Sequence, residues 1–194
     1  MDLPELVLRA HAAAADVAMP LTRDGTGPSC SLPGVGRFLA VLAAGCVGGT
    51  IGELGTGVGV GAAWMASAMP ADCTLVTVEL DQTRATAAHR VFADDPRVEV
   101  VRGDALTVLS TRAPYDLLFA DGGTAEAPTL VDLLRIGGRI VSDDVTPLDL
   151  LPADSPFRTN DAKREFYFGE PRLISTEVVL PDRQNSLLVG TRVR

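Results

Sequence analysis

The stretch Glu53-Leu54-Gly55-Thr56-Gly57-Val58-Gly59-Val60-Gly61 places a glycine at every second position behind a carboxylate. Glycine is required where a chain turns sharply from strand to helix, and it lets backbone N–H groups approach a ligand closely. Gly57, Gly59 and Ala62 also fit the GxGxxA form of the dinucleotide fingerprint, a short motif that alone marks no more than a tight turn. Three acids sharpen the reading. Glu53 precedes the first glycine, and Glu79 follows the apolar run Thr74–Val78. A carboxylate there can accept hydrogen bonds from both hydroxyls of a ribose. Asp104 follows the run Val98–Val101, in Arg102-Gly103-Asp104-Ala105. Each acid alone reads as a turn residue or a helix cap. At successive strand ends of a doubly wound sheet, however, they line one crevice. Gly55, Gly57, Glu79 and Asp104 therefore converge on one elongated, adenosine-shaped site.

A second group of acids closes two further apolar runs. Asp121 ends Tyr115-Asp116-Leu117-Leu118-Phe119-Ala120-Asp121, and Asp143 and Asp144 end Gly138-Arg139-Ile140-Val141-Ser142-Asp143-Asp144. If those runs are sheet neighbours, three carboxylates share a small volume at the crevice mouth. Like charges so close repel, and a cation or shared proton between them relieves the repulsion. Hard oxygen ligands of this kind suit Mg²⁺ or Ca²⁺. Read instead as caps and turn acids, they hold nothing.

The elements that must position these residues alternate along the chain. Strand-like runs at Thr50–Leu54, Thr74–Val78, Val98–Val101, Asp116–Ala120 and Arg139–Ser142 are separated by helix-length segments Val58–Ala68, Asp81–Ala93, Ala105–Thr111 and Thr124–Arg135. That alternation predicts a parallel sheet in the order 3-2-1-4-5 with helices on both faces. Two helices precede it: Leu3–Ala18, opened by a capping-box-like Asp2 and Glu5, and Leu32–Ala44, closed by Gly45. Between them, Met19–Ser31 is rich in turn residues and long enough for a mobile loop. The tail differs: Arg172–Leu180 and Ser186–Val193 are strand-like runs joined by Pro181-Asp182-Arg183-Gln184-Asn185, a hairpin signature. The whole reads as one α/β, Rossmann-like domain. Its parts are N-terminal helices (1–45), a cofactor-binding core (46–145) and a substrate-side segment with the C-terminal hairpin (146–194).

Composition narrows the function classes. Hydrophobic residues make up 46% and charged residues 22% of the chain, the balance of a folded globular protein. A net charge of −8 disfavours nucleic acid and acidic membrane surfaces as partners. Cys30, Cys46 and Cys73 follow no metal-binding spacing and read as buried free thiols. No run is long and apolar enough to span a membrane and no apolar signal run opens the chain, so the expectation is a cytoplasmic protein. Its expected partner is a small-molecule acceptor, with a homodimer through the first helix as a further option. His11, His89 and Trp64 fall in helical segments, where surface or core packing is the default. In Asp161-Ala162-Lys163-Arg164-Glu165-Phe166-Tyr167-Phe168 an amphipathic helix is expected. Its charges, including the chain's only lysine, are read as a solvated face. The aromatics of that helix, with Phe157, either wall an acceptor pocket or pack over the sheet edge.

The series ELGTGVG, VTVELD, RGDAL, LLFADGG and LLRIGGRIVSDDV resembles class I S-adenosylmethionine-dependent methyltransferases. Within them, it is most similar to the group containing catechol and caffeoyl-coenzyme A O-methyltransferases. The resemblance runs from Gly34 to the C-terminus, and implies a seven-stranded, mostly parallel sheet with an antiparallel C-terminal hairpin. It further implies that Glu53, Gly55, Thr56, Gly57 and Gly61 hold the methionine end of the cofactor, that Glu79 and Leu80 take the ribose, and that Asp104-Ala105 lies beside the adenine. Asp121 would border the reacting methyl. With Asp143 and Asp144, it would bind a divalent metal, Asp144 standing where the group usually has asparagine. The group's lysine just past the first metal aspartate has no counterpart in Asp121-Gly122-Gly123-Thr124-Ala125-Glu126. What this implies is a metal-assisted O-methyltransferase of a small, aromatic hydroxyl acceptor. Two other readings stay open: an NAD-dependent oxidoreductase, on GxGxxA followed by Glu79, and a non-catalytic S-adenosylmethionine-binding protein.

Overall fold

In the computed structural model, residues 2–21, 29–121, 128–181 and 185–194 are described. Helices α1 (Glu5–Asp16) and α2 (Pro33–Ala44) precede the alternating part. There, β1 (Thr50–Leu54), α3 (Val60–Ala68), β2 (Thr74–Glu79), α4 (Gln82–Val91), β3 (Val98–Arg102), α5 (Ala105–Ser110), β4 (Tyr115–Ala120), α6 (Thr129–Asp132) and β5 (Leu134–Val145) follow in turn. The tail adds α7 (Ala162–Gly169), β6 (Leu173–Val179) and β7 (Ser186–Arg192).

All seven strands form one sheet in the order β3-β2-β1-β4-β5-β7-β6. β1 to β5 pair in parallel, and β7 is antiparallel to both β5 and β6. The expected 3-2-1-4-5 order and the C-terminal hairpin on the same sheet are both present; residues 182–184 of its turn lie outside the described residues. The order reverses direction between β1 and β4, the place where doubly wound sheets bind ligands beyond the strands' carboxyl ends.

Two apolar layers hold the sheet between helices. Ile51, Leu75, Leu117, Phe119 and Val141 pack with α1 to α4. Leu54, Val78, Leu118, Ala120 and Ile140 pack with Leu109, Leu130 and Tyr167 of α5, α6 and α7. Alternation along each strand thus feeds both faces, as strand geometry requires. The three cysteines are free and buried, and Trp64 is in the core. No helix among the described residues is long and apolar enough to cross a membrane.

Local expectations need three corrections. α1 starts behind Pro4 with no side-chain cap, so the Asp2/Glu5 capping box does not form. Of the helix expected over Thr124–Arg135, residues 124–127 lie outside the described residues, and the rest is only the single turn of α6. β5 begins at Leu134, five residues before the expected Arg139, because Gly137 (φ +82°) and a register shift opposite Tyr115/Leu117 let the strand continue through an irregular stretch.

Candidate active site

A cleft of about 390 Å³ opens beyond the carboxyl ends of the parallel strands. Glu53, Gly55, Thr56, Gly57, Gly61, Glu79, Leu80, Asp104, Ala105 and Asp121, the residues expected at a cofactor site, all line it. The volume falls in the range of small-molecule sites.

Backbone geometry makes the glycine loop what it is. At Gly55, φ is +89° and an added Cβ would stand 1.9 Å from the carbonyl oxygen of Asp121. No side chain fits there, and the β1 and β4 ends can therefore close on each other. The N–H groups of Gly55 and Thr56 both donate to the Val78 carbonyl, tying the loop to β2. At Gly61 an added Cβ would meet Glu53 Oε1 at 2.5 Å, so α3 approaches the β1 carboxylate directly.

Glu79 is buried, and its carboxylate is a hub of hydrogen bonds at the end of β2. Its Oε2 accepts from Gly57 N at 2.8 Å; Oε1 accepts from Asp81 N at 2.8 Å and from Arg84 Nη2 at 2.9 Å. These donors orient the carboxylate before any ligand arrives. Asp104 is exposed, and its side chain caps α5 by accepting from Thr107 N at 2.8 Å. Hydrogen bonding from Thr107 holds its carboxyl below the ordinary range.

Glu53 is 1% exposed and accepts a hydrogen bond from the Thr77 hydroxyl, which in turn lies 2.5 Å from the Thr56 hydroxyl. Burial pushes its carboxyl up to about 8; the Thr77 bond opposes the shift, and the charges of Asp121 and Glu79 add to it. Thr77 went unnoticed in the sequence, although a threonine inside the apolar run Thr74–Val78 marks a buried polar partner.

On the far side of Asp121, a second cleft of about 10 Å³ is lined by Asp121, Asp143, Asp144 and Asn185 together with 29–32. The three expected carboxylates are thus brought together. A bulge does this: between the pairs Ser142↔Leu188 and Val145↔Ser186, Asp143 and Asp144 stand opposite the single residue Leu187. Such bulges re-aim side chains. Asp143 turns inward and is 4% exposed, its Oδ1 accepting from Asn185 Nδ2 at 2.5 Å and from Asp144 N at 2.7 Å. Asp144 is exposed, with φ +63°. It borders the large cleft as well as the small one.

The expected Mg²⁺ or Ca²⁺ site is not shown by this arrangement. Among the described residues no group of three or more His, Cys, Asp or Glu side chains could hold a metal ion. One oxygen of Asp143 accepts from the Asn185 amide and from the Asp144 backbone N–H.

Helix α7 corrects the reading of its charges. Lys163 Nζ donates to the Asp143 carbonyl at 2.8 Å. Arg164 is buried, paired to Asp161 and Glu177 at 2.7 Å each, and its Nη2 also donates to the Thr146 carbonyl at 2.8 Å. Tyr167 is fully buried, its hydroxyl 2.8 Å from that of Ser142, while Phe157 and Phe168 are exposed. The helix packs by its tyrosine rather than by a wall of aromatics. Met19, Ser29, Cys30, Ser31 and Arg84 also line the large cleft and carried no sequence signal for it. Burial and the Asp121 charge push the Cys30 thiol up to about 11, which disfavours its thiolate form at neutral pH.

A family model described as a methyltransferase domain matches residues 53–145. A protein of Mycobacterium ulcerans named as an O-methyltransferase is 32% identical over 151 residues, covering 70% of this chain and 67% of its own. One from Mycobacterium sp. (strain JLS), named likewise, is 35% identical over 125 residues, covering 59% of this chain and 57% of its own. The match therefore spans under two thirds of the length of several such relatives. Among solved structures, the O-methyltransferase TomG of Streptomyces achromogenes, in complex with S-adenosylmethionine, superposes with a TM-score of 0.74 at 25% identity, covering 100% of this chain and 92% of that one. A Bacillus cereus O-methyltransferase in complex with S-adenosylhomocysteine shares the fold at 23% identity, with a TM-score of 0.74 and 99% and 93% coverage.

Proposed function

The chain belongs to the class I S-adenosylmethionine-dependent O-methyltransferases, and from that premise we propose that it methylates a hydroxyl of a small, aromatic acceptor. The observation that carries this reading is the convergence of ten site residues from four strand ends on one 390 Å³ cleft. Its floor is a loop too tight for any side chain at Gly55. The oxygen acceptor is what the relatives are named for; the aromatic class rests on the resemblance to the catechol and caffeoyl-coenzyme A group.

The residues present fit the cofactor. Glu79, already aimed by Gly57 N and Arg84, would take the ribose hydroxyls, with Leu80 beside it. Gly103, Asp104 and Ala105 line the adenine end, and Glu53, Gly55, Thr56 and Gly61 the methionine end. When bound, S-adenosylmethionine supplies an activated methyl group. The protein's part is orientation: holding an acceptor oxygen in line removes much of the barrier by proximity alone. Asp121 borders both clefts, and so stands where the cofactor and acceptor sides meet. Among the described residues no group of three or more His, Cys, Asp or Glu side chains could hold a divalent metal.

Calorimetry with S-adenosylmethionine, S-adenosylhomocysteine and NAD tests the cofactor, and methyl transfer over a panel of phenols tests the reaction. Tight binding of the first two, weak binding of NAD and transfer to at least one phenol are expected. Tighter NAD binding would overturn the assignment in favour of an oxidoreductase; cofactor binding without transfer to any hydroxyl would make the chain a binding protein.

A further inference from the structure

We propose that Lys163 is a positioning residue of the acceptor side, its ammonium fixing the Asp143–Asp144 corner that turns Asp144 toward the cofactor cleft. The proposal rests on the methyltransferase reading and adds to it a residue outside the glycine loop and the strand-end acids.

The corner is unusual backbone. Asp144 has φ +63°, a region that side chains other than glycine rarely enter. Such conformations persist only where the surroundings over-determine them, and they gather at functional sites. Three bonds do so here. Asp143 Oδ1 accepts from Asp144 N and from Asn185 Nδ2, and the Asp143 carbonyl accepts from Lys163 Nζ. Two of them hold the carboxylate of Asp143, and the lysine holds its backbone carbonyl.

Lys163 is not needed to dock its helix. Asp161 caps α7 by accepting from Arg164 N, Arg164 reaches the Thr146 carbonyl, and the Tyr167 hydroxyl meets that of Ser142. The last two of these bonds hold α7 to the end of β5 on either side of the corner. A lysine on a helix surface ordinarily keeps its ammonium in water, yet this one is committed to a carbonyl beside two carboxylates. Its bond lies one residue from Asp144, which borders both the large cleft and the small one. Loss of that bond would free the corner without undocking the helix, and misplacement by about 1 Å at an acceptor site costs up to ~100-fold in rate.

The test compares wild type, Lys163→Met and Lys163→Arg. In the presence of S-adenosylhomocysteine, hydrogen–deuterium exchange of the 142–146 segment should quicken in Lys163→Met and return in Lys163→Arg, with the melting temperature and S-adenosylhomocysteine affinity of all three alike. Methyl transfer from S-adenosylmethionine to a phenol panel led by catechol should lose about 10- to 100-fold in kcat in Lys163→Met, with KM for the cofactor unchanged, and recover in Lys163→Arg. Wild-type kcat in Lys163→Met overturns the proposal, as does a joint loss of melting temperature and cofactor affinity, which would make the lysine merely structural. If the wild type transfers to no acceptor, the transferase reading itself fails and the positioning role falls with it. A quickened 142–146 segment would separate that case from an error about the bond.

Discussion

Replacing Glu53 with glutamine should remove a proton that the wild type releases on binding S-adenosylmethionine. Glu53 is 1% exposed and pushed up to about 8 by burial, with Asp121 and Glu79 raising it further and the Thr77 hydroxyl opposing. At pH 7 about nine tenths of the molecules therefore carry a neutral Glu53, and at pH 9 about one tenth. The sign for stability follows. The folded carboxyl titrates above its unfolded value, so its contribution to stability is complete below the ordinary carboxyl range and is lost as pH rises through about 8. A ligand bearing an ammonium and a sulfonium favours the ionised form of a carboxyl lining its cleft. Binding at pH 7 should then expel up to ~0.9 proton per site. Calorimetry at one pH in buffers of different ionisation enthalpy, such as phosphate and Tris, reads that number directly from the change in apparent enthalpy. Glu53→Gln, which keeps the shape and cannot ionise, should release none, bind more weakly, and lose less stability than wild type between pH 7 and pH 9. A wild type that releases no proton at pH 7, or a glutamine variant that releases as many, would refute the reasoning.

Glu79→Ala should weaken S-adenosylhomocysteine binding by about 1.5–3 kcal/mol, the worth of hydrogen bonds to a charged group; an unchanged affinity would mean that Glu79 does not take the ribose. Gly55→Ala should lower unfolding free energy by about 2–4 kcal/mol, because a backbone oxygen cannot step aside for the new methyl and φ is positive. Wild-type stability on chemical denaturation would show that the β1 and β4 ends can part. Millimolar Mg²⁺ should leave the melting temperature where it is, since a ligand stabilises only a fold that binds it. A rise that disappears in Asp143→Asn/Asp144→Asn would restore the three-carboxylate metal site.

The parallel half of the sheet was legible because buried strands read as short apolar runs between polar helices. Its site was legible for a related reason: doubly wound topology gathers the residues just past each strand, so Glu53, Glu79, Asp104 and Asp121 could be found one strand at a time. Residues that reach the cleft by other routes had no such signature. Cys30 and Ser31 come from a loop, and Arg84 from a helix face. Each has a local reading, thiol core or solvated guanidinium, that is sound until the packing is known. The Thr77–Glu53 bond needs the register of β1 against β2, which pairs Glu53 with Thr77 directly across the sheet.

The charges of α7 show where pattern reading stops. On the sequence, Lys163 and Arg164 sit in an amphipathic helix and belong in water. What draws them inward is a demand created elsewhere. β4 pairs with β5 only as far as Ala120↔Ser142, and on the other side Asp143 and Asp144 bulge against the single Leu187. An interrupted ladder leaves backbone carbonyls without strand partners, and buried carbonyls must find donors. Lys163 meets that demand at Asp143 and Arg164 meets it at Thr146. The same bulge that gathers the aspartates at the crevice mouth therefore recruits the cations of α7. The pairing mismatch that produces the bulge exists only between strands 41 residues apart in the chain, in the register Val145↔Ser186, and no local window of sequence contains it.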